Sequence, residues 1–189
     1  TLADGSSLPS WLSFNASTRS FTGTPLNDNV GDINVKVTAT DGSSTAVSDN
    51  FTLTINNTND APTGVSLSAT AINENSSGVV VGNLSTSDVD SGDSFTYTLS
   101  GDDASSFEVV NGQLKLKSSV SANYESKTSY AVTVTSTDSG SATAQQSFTV
   151  TVNDVNEAPT AMALSNSTID ESQPGITVGN LSVTDADAN

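Results

Sequence analysis

Several stretches of the chain alternate between apolar and polar residues. Phe95, Tyr97 and Leu99 share one side of their segment and Ser94, Thr96 and Thr98 the other. Tyr130, Val132 and Val134 alternate with Thr133 and Thr135, and Phe148, Val150 and Val152 with Thr149 and Thr151. Successive side chains of a strand point to opposite faces, so each segment buries one face and wets the other. The pattern predicts strands near 64–73, 78–87, 93–100, 105–110, 112–118, 127–138 and 142–153, separated by Gly and Asn turns such as Asn111-Gly112. Seven short strands in about 95 residues predict an all-β, immunoglobulin-like sandwich.

That unit repeats. The segment from Asn59, NDAPTGVSLSATAINENSSGVVVGNLSTSDVDSG, aligns without a gap on the segment from Asn156, NEAPTAMALSNSTIDESQPGITVGNLSVTDADAN, with 16 of 34 positions identical. The offset is 97 residues, and it also lays VKVTATD (35–41) over VTVTSTD (132–138) and FTLTINN (51–57) over FTVTVND (148–154). A period near 100 residues corresponds to one β-sandwich domain per repeat. The chain therefore divides into a partial domain at 1–57, a linker at 58–62, a complete domain at 63–153, a linker at 154–159 and the first strands of a third domain at 160–189.

Composition narrows what such a tandem does. There are 21 acidic residues against five basic ones, a formal net charge of -16. A chain so poor in Lys and Arg is not expected to bind nucleic acid, because phosphate recognition depends on cationic side chains. Acidic excess is explained equally by solubility or by binding of divalent cations, and position has to decide. The chain has no Cys and no His, which excludes disulfide frameworks, Cys/His zinc sites and His-based catalysis. No apolar run is long enough to span a bilayer as a helix, so no membrane insertion is expected.

The acids sit at chosen places. Glu74 lies in INEN, Asp88 and Asp90 in DVD, Glu125 in NYE, and Asp138 at the end of VTVTSTD. Asp154, Asn156 and Glu157 lie in the linker DVNEAP, and Asp185 and Asp187 in DAD. Both DxD pairs fall where a strand pattern gives way to a turn, which can aim two carboxylates at one cation. Calcium takes six to eight oxygen ligands from carboxylates, amides and carbonyls, and this inventory offers those and no nitrogen or sulfur donor. Two carboxylates 4 Å apart repel by about 4 kcal/mol at an effective dielectric of 20, so such a cluster calls for a cation. Magnesium, with its tight octahedral demand and retained waters, is the weaker candidate.

Taken together, the INEN, DxD, NYE, TxD and DVNEAP elements resemble the cadherin repeat, fully over residues 63–159 and as the beginning of a further copy over 160–189. The resemblance implies Ca2+ at the junctions between domains. Glu74 and Glu125 would come from the base of one domain, Asp154, Asn156 and Glu157 from the linker, and Asp185 and Asp187 from the top of the next. Asp138 would join Asp88 and Asp90 at the preceding junction. Glu171 is the Glu74 counterpart in the further copy. This chain departs from the animal pattern by a linker one residue shorter and by Asn123 in place of an Asp, which lowers the expected number of ions per junction. The run LPSWLSFNASTRSFTGTPLNDNVGDINVKVTATDG, with its LPxWLxF and FxGTP signatures, resembles the dystroglycan-type cadherin-like domain of large bacterial surface proteins. The junction at Asn57, Asn59 and Asp60 has fewer carboxylates and is expected to bind calcium more weakly or with fewer ions.

These observations lead to a calcium-stiffened structural or adhesive repeat of a microbial cell-surface or extracellular-matrix fibre. The alternative is a calcium-dependent module that binds carbohydrate, such as surface glycans, or another copy of itself. An enzyme is not expected, because the acids recur once per repeat at domain ends rather than paired in one pocket. Sugar platforms need exposed aromatics. Phe14, Phe21, Phe51, Phe95, Tyr97, Tyr130 and Phe148 fit inward positions, which leaves Trp11 and Tyr124, and Trp11 lies in an apolar run that favours a core role. Thr1-Leu2 aligns with Thr98-Leu99 in mid-domain, so head-to-tail pairing is expected between neighbouring copies or repeats, with the tail of one completing the sandwich begun by the head of the next. Asp185 and Asp187 would then share an ion with Asp41 of the following copy.

Overall fold

The protein is described from a computed structural model, which covers residues 1–172 and 174–187. Residue 173 and the last two positions of the expected third domain lie outside the described residues.

The head consists of two hairpins. Strand β1 (Leu12–Asn15) pairs antiparallel with β2 (Ser20–Gly23), Leu12 standing opposite Gly23. A Cβ on residue 23 would stand 2.4 Å from the Trp11 carbonyl oxygen and 3.0 Å from the indole ring, so only glycine lets the WLxF strand close on the FxG strand. Strands β3 (Gly31–Thr40) and β4 (Ala46–Ile55) form a ten-pair hairpin with Val35 opposite Phe51. Phe14, Phe21 and Phe51 do share one face, with ring centroids 4.7 and 5.7 Å apart in sequence order. However, Phe14 and Phe51 are 41% and 38% exposed, contrary to the expected burial, because among the described residues no strand covers that face.

The complete domain is a sandwich of two four-stranded sheets. It contains β5 (Gly64–Leu67), β6 (Ala71–Asn73), β7 (Val80–Ser87), β8 (Thr96–Ser100), β9 (Phe107–Val110), β10 (Gln113–Leu116), β11 (Ser129–Thr137) and β12 (Thr143–Asn153). One sheet runs β5-β7-β10-β9 and the other β6-β12-β11-β8, every pair antiparallel except β6 with β12. The alternating residues Val132, Val134, Val150 and Val152 are buried from one sheet, and Leu114, Leu116, Val81 and Phe107 meet them from the other. Burying one such side chain is worth about 1.5–3 kcal/mol. A polar pin also joins the layers: the Thr86 hydroxyl lies 2.7 Å from that of buried Ser136 and 3.0 Å from that of Tyr97. Tyr124 is half-buried against the core rather than presented to solvent.

One expected element divides. The strand predicted over 64–73 is two strands in different sheets, with the chain crossing between layers at Ser68-Ala69-Thr70. The buried side changes parity at the crossing, from Val65 and Leu67 to Ile72, but Ala69 and Ala71 continue the apolar alternation of the sequence and hide the change. Gly82 makes the crossing possible, since a Cβ there would lie 2.8 Å from the Ala69 nitrogen and 2.9 Å from the Ser68 hydroxyl.

The repeat holds in three dimensions as strand register. Val35 opposite Phe51 in the head becomes Val132 opposite Phe148 in the complete domain. Likewise Leu67 opposite Leu84 becomes Leu164 opposite Leu181 in the tail hairpin of β13 (Ala161–Leu164) and β14 (Leu181–Thr184).

Gly82→Ala should destabilise the complete domain by about 1–3 kcal/mol, the usual cost of overpacking a closed site. Chemical denaturation followed by tyrosine fluorescence measures it, and an unchanged midpoint would show that the crossing tolerates a methyl group.

Candidate metal centres at the domain junctions

At the second junction the organising side chain is Glu74, 2% exposed. Strand β6 ends immediately before it, and its own N–H donates to the Asn153 carbonyl. Its two oxygens accept the N–H groups of Tyr124 and Val155, each at 2.8 Å, tying the NYE loop and the linker to the base of the domain. From the next repeat, Asp187 Oδ2 accepts the Glu157 N–H at 2.6 Å, and Asp185 Oδ1 accepts the Asp187 N–H at 3.0 Å. Linker and following domain are thereby locked together through an acidic turn.

The carboxylates left over converge. Oxygens of Glu74, Glu125 and Glu157 lie within 4.8 Å of one another, as do those of Glu125, Asp154 and Asp187. Glu157 Oε2 and Asp187 Oδ1 are buried without any hydrogen-bond partner. Such atoms are costly to leave unsatisfied. Among the described residues the only ion pairs are Lys115 with Glu108 and Lys127 with Asp103, so no side-chain cation answers the cluster. Loss of hydration, then the charges of Asp187 and Glu74, push Asp154 above the usual carboxylate range. A hydrogen bond from the Asn75 amide holds Glu157 down, but loss of hydration and the Asp187 side chain outweigh it, and Glu157 is also raised. Oxygen-only donors with orphaned buried atoms fit a hard cation such as Ca2+.

The first junction repeats the lock with a different surround. Asp90 Oδ2 accepts the Asp60 N–H at 2.7 Å and Asp88 Oδ1 accepts the Asp90 N–H at 3.0 Å. The Asn59 amide donates to Asp138 Oδ2 at 3.1 Å, and Asp138 Oδ1 accepts the Ala142 N–H that closes the β11–β12 turn. A Cβ at residue 140 would fall 2.1 Å from Asn59 Oδ1, so a side chain there would have to displace the Asn59 amide. Asp88, Asp90 and Asp93 bring oxygens within 4.8 Å, and Asp88 Oδ2 and Asp93 Oδ2 are buried and unpartnered. From the side of the head Asn27, in a 3-10 turn, donates to Asp60 Oδ2 at 2.8 Å and leans on Asp90 Oδ1 at 3.4 Å.

Of the expected site residues, the structure therefore gathers Glu74, Glu125, Asp154, Glu157, Asp185 and Asp187 at one junction and Asn59, Asp60, Asp88, Asp90 and Asp138 at the other. Asn57 lines a groove there with Asn27, Asp28 and Val89. Asn156 donates to the Glu157 carbonyl, as Asn59 does to that of Asp60. Asp41 closes the β3–β4 turn by accepting the N–H groups of Ser43 and Thr45, and it and Glu171 stand exposed in no acidic cluster of the described residues. Asn27, Asp28, Asn75 and Asp93 were not expected. Asp28 was within reach of sequence, because the 97-residue offset carried a few residues further upstream lays it under Glu125.

Residues 68–153 match the family described as Cadherin domain, and residues 1–56 match the family described as Putative Ig domain. No curated protein matches the chain. The Protocadherin GammaB4 extracellular domain has a similar structure, with TM-score 0.71 and 20% identity over 100% of this chain and 32% of that one. Human CDH23 EC21-23 gives 0.74 at 19% identity, over 94% of this chain and 62% of that one. Human Protocadherin-24 EC1-2 gives 0.56 at 27% identity, over 69% and 64%. The chain thus spans less than two thirds of the length of each. Fold and family matches together define the class, a tandem of cadherin-like β-sandwich repeats.

Two outcomes follow from this geometry. Glu74→Gln should destabilise the complete domain by about 1–3 kcal/mol with or without added metal, because a Gln amide can accept through only one oxygen and leaves a backbone N–H unanswered; equal stability would contradict the role given to Glu74. The raised Asp154 and Glu157 carboxyls hold protons more tightly when folded than when unfolded. Their contribution to folding is thus present at low pH and is lost as pH rises through the raised values. A cation that takes their place must release protons. Calorimetric titration with Ca2+ near pH 5 should give heats that depend on the ionisation enthalpy of the buffer, and buffer-independent heats would show that neither group is involved.

Proposed function

We propose that the chain is a calcium-stiffened spacer or adhesive repeat of a microbial cell-surface or extracellular-matrix fibre, with Ca2+ held at the domain junctions. The observation that carries this reading is the pair of buried, unpartnered oxygens Glu157 Oε2 and Asp187 Oδ1, supplied by linker and following repeat beside Glu74, Glu125 and Asp154. Glu74, Glu125, Asp154, Glu157 and Asp187 would hold the ion at the second junction. Asp60, Asp88, Asp90 and Asp93, with the Asn27 and Asn59 amides nearby, form the poorer set at the first. A bound divalent cation supplies the positive charge that the cluster lacks. Because the donors come from two domains and the segment between them, its binding restrains the hinge rather than the sandwich cores.

The surface setting is supported by the resemblance of the head to domains of bacterial surface proteins and by the extracellular domain named for the Protocadherin GammaB4 relative. No helix among the described residues is long and apolar enough to cross a membrane, which says nothing of strands. Partners on this reading are neighbouring repeats or copies.

Small-angle scattering in Ca2+ and in chelator should show a narrower, more extended distribution with the ion, while the melting of the complete domain moves only by mass action. Identical profiles would refute the stiffening role. Asp187→Asn should weaken uptake at the second junction about tenfold, or about 1.4 kcal/mol, and leave the first unchanged, since a whole domain separates them. Calorimetry in which both junctions weaken together would contradict the assignment.

A further inference from the structure

Within the complete domain, β12 keeps an open edge. It pairs with β11 from Thr143 to Thr151, but on its other side β6 reaches only Thr151 to Asn153. The Val152 N–H and the Ala142 carbonyl bond towards β11, and the Thr151 N–H bonds the opposite way, to the Thr70 carbonyl. By alternation, the N–H and C=O groups of Thr143, Gln145, Ser147 and Thr149 also point away from β11. These four residues are exposed, and among the described residues the only partner for those groups is the Gln146 amide, which donates to the Ser147 carbonyl at 3.1 Å. An open edge is a template for another strand, and proteins normally blunt it with a charge, a Pro, a bulge or short length. The other edge strands of this domain are short: β5 and β9 have four residues and β8 has five, and β9 carries Glu108. Strand β12 has eleven residues and no Pro, and it lies within 139–153, the longest charge-free run in the chain. The 97-residue offset sets Gln146 over Asp49, so the matching strand of the head does carry a charge at that place.

We propose that the open edge of β12 pairs antiparallel with the same edge of a second copy, about a two-fold axis at Gln146. Charge selects this occupant. Two chains of net charge -16 meet with least repulsion where neither carries a charged side chain, and a two-fold arrangement lets the same strip serve both. Strand addition supplies the backbone hydrogen bonds. The register follows from which groups are free. Centred on Gln146, it pairs Thr143 with Thr149 and Gln145 with Ser147 twice over, using all four open residues of each strand. Centring on Gln145 would leave out Thr149, and centring on Ser147 would set Thr143 against Thr151, whose N–H is already taken by Thr70. The Gln146 register also places half-buried Ala144 opposite half-buried Phe148 and the two Gln146 amides opposite each other. The pairing deepens the adhesive reading given above by naming where copies meet. It uses no proposed metal ligand, so failure of calcium binding and failure of the pairing are read separately.

The chain has no cysteine, which permits a test by cross-linking. The Gln146→Cys chain, mildly oxidised in chelator, should form a disulfide-linked dimer about tenfold faster than Thr149→Cys. Opposed residues of a non-hydrogen-bonded pair have Cα atoms about 4.5 Å apart, within disulfide reach, whereas the two copies of residue 149 would stand about 20 Å apart. In sedimentation equilibrium, also in chelator, the weight-average mass of the unmodified chain should climb towards that of a dimer as concentration approaches about 1 mM. Gln146→Asp sets two carboxylates face to face and should stay monomeric. Because Gln146 is exposed, that variant should melt like the unmodified chain. An unmodified chain still monomeric at that concentration, equal cross-linking from residues 146 and 149, or association undiminished by Gln146→Asp would each overturn the proposal.

Discussion

At each junction an aspartate from the top of one domain accepts the backbone N–H of the last acidic linker residue: Asp90 from Asp60 and Asp187 from Glu157. The rest of the architecture depends on this contact. It fixes where the linker enters the following sandwich, and it does so with the very side chains that carry excess negative charge. A charge-assisted bond of this kind is among the stronger ones available to a protein. It also draws carboxylates from three sources into one small volume, so the lock and the electrostatic debt of the junction arise together.

The two junctions differ in how that debt is arranged. At the second, the base of the preceding domain contributes Glu74 and Glu125, and two buried oxygens remain without partners. At the first, Asn27 takes the facing position and donates to Asp60 and Asp90, satisfying with an amide part of what a cation would satisfy elsewhere. A neutral donor relieves less repulsion than a charge, but it holds the geometry at any metal concentration. Each junction still holds two buried oxygens without partners, Asp88 Oδ2 and Asp93 Oδ2 at the first and Glu157 Oε2 and Asp187 Oδ1 at the second.

The fold itself is carried by apolar pairing within each repeat. The four valines of β11 and β12 and the facing leucines of β10 are nearly excluded from solvent, and the linkers contribute little apolar surface to any core. Restraint between repeats and stability within them are therefore separate quantities.

The alternation of residues such as Tyr130, Val132 and Val134 was enough to give the all-β sandwich class, and the 97-residue offset to single out acidic residues such as Asp90 and Asp187 at equivalent places, because local periodicity and internal identity are written in the chain itself. The crossing of strand 64–73 between sheets was not legible, since Ala69 and Ala71 continue the apolar alternation of Val65 and Leu67 although the buried side passes to Ile72 beyond Ser68-Ala69-Thr70. Nor was the exposure of Phe14 and Phe51, which occupy inward positions that no described strand covers. The role of Asn27 and the orphaned oxygens of Glu157 and Asp187 were likewise decided by tertiary structure. Whether a carboxylate finds a donor depends on groups far apart in sequence, such as Asn75 and Glu157, and no spacing rule relates them until the domains are folded and set end to end.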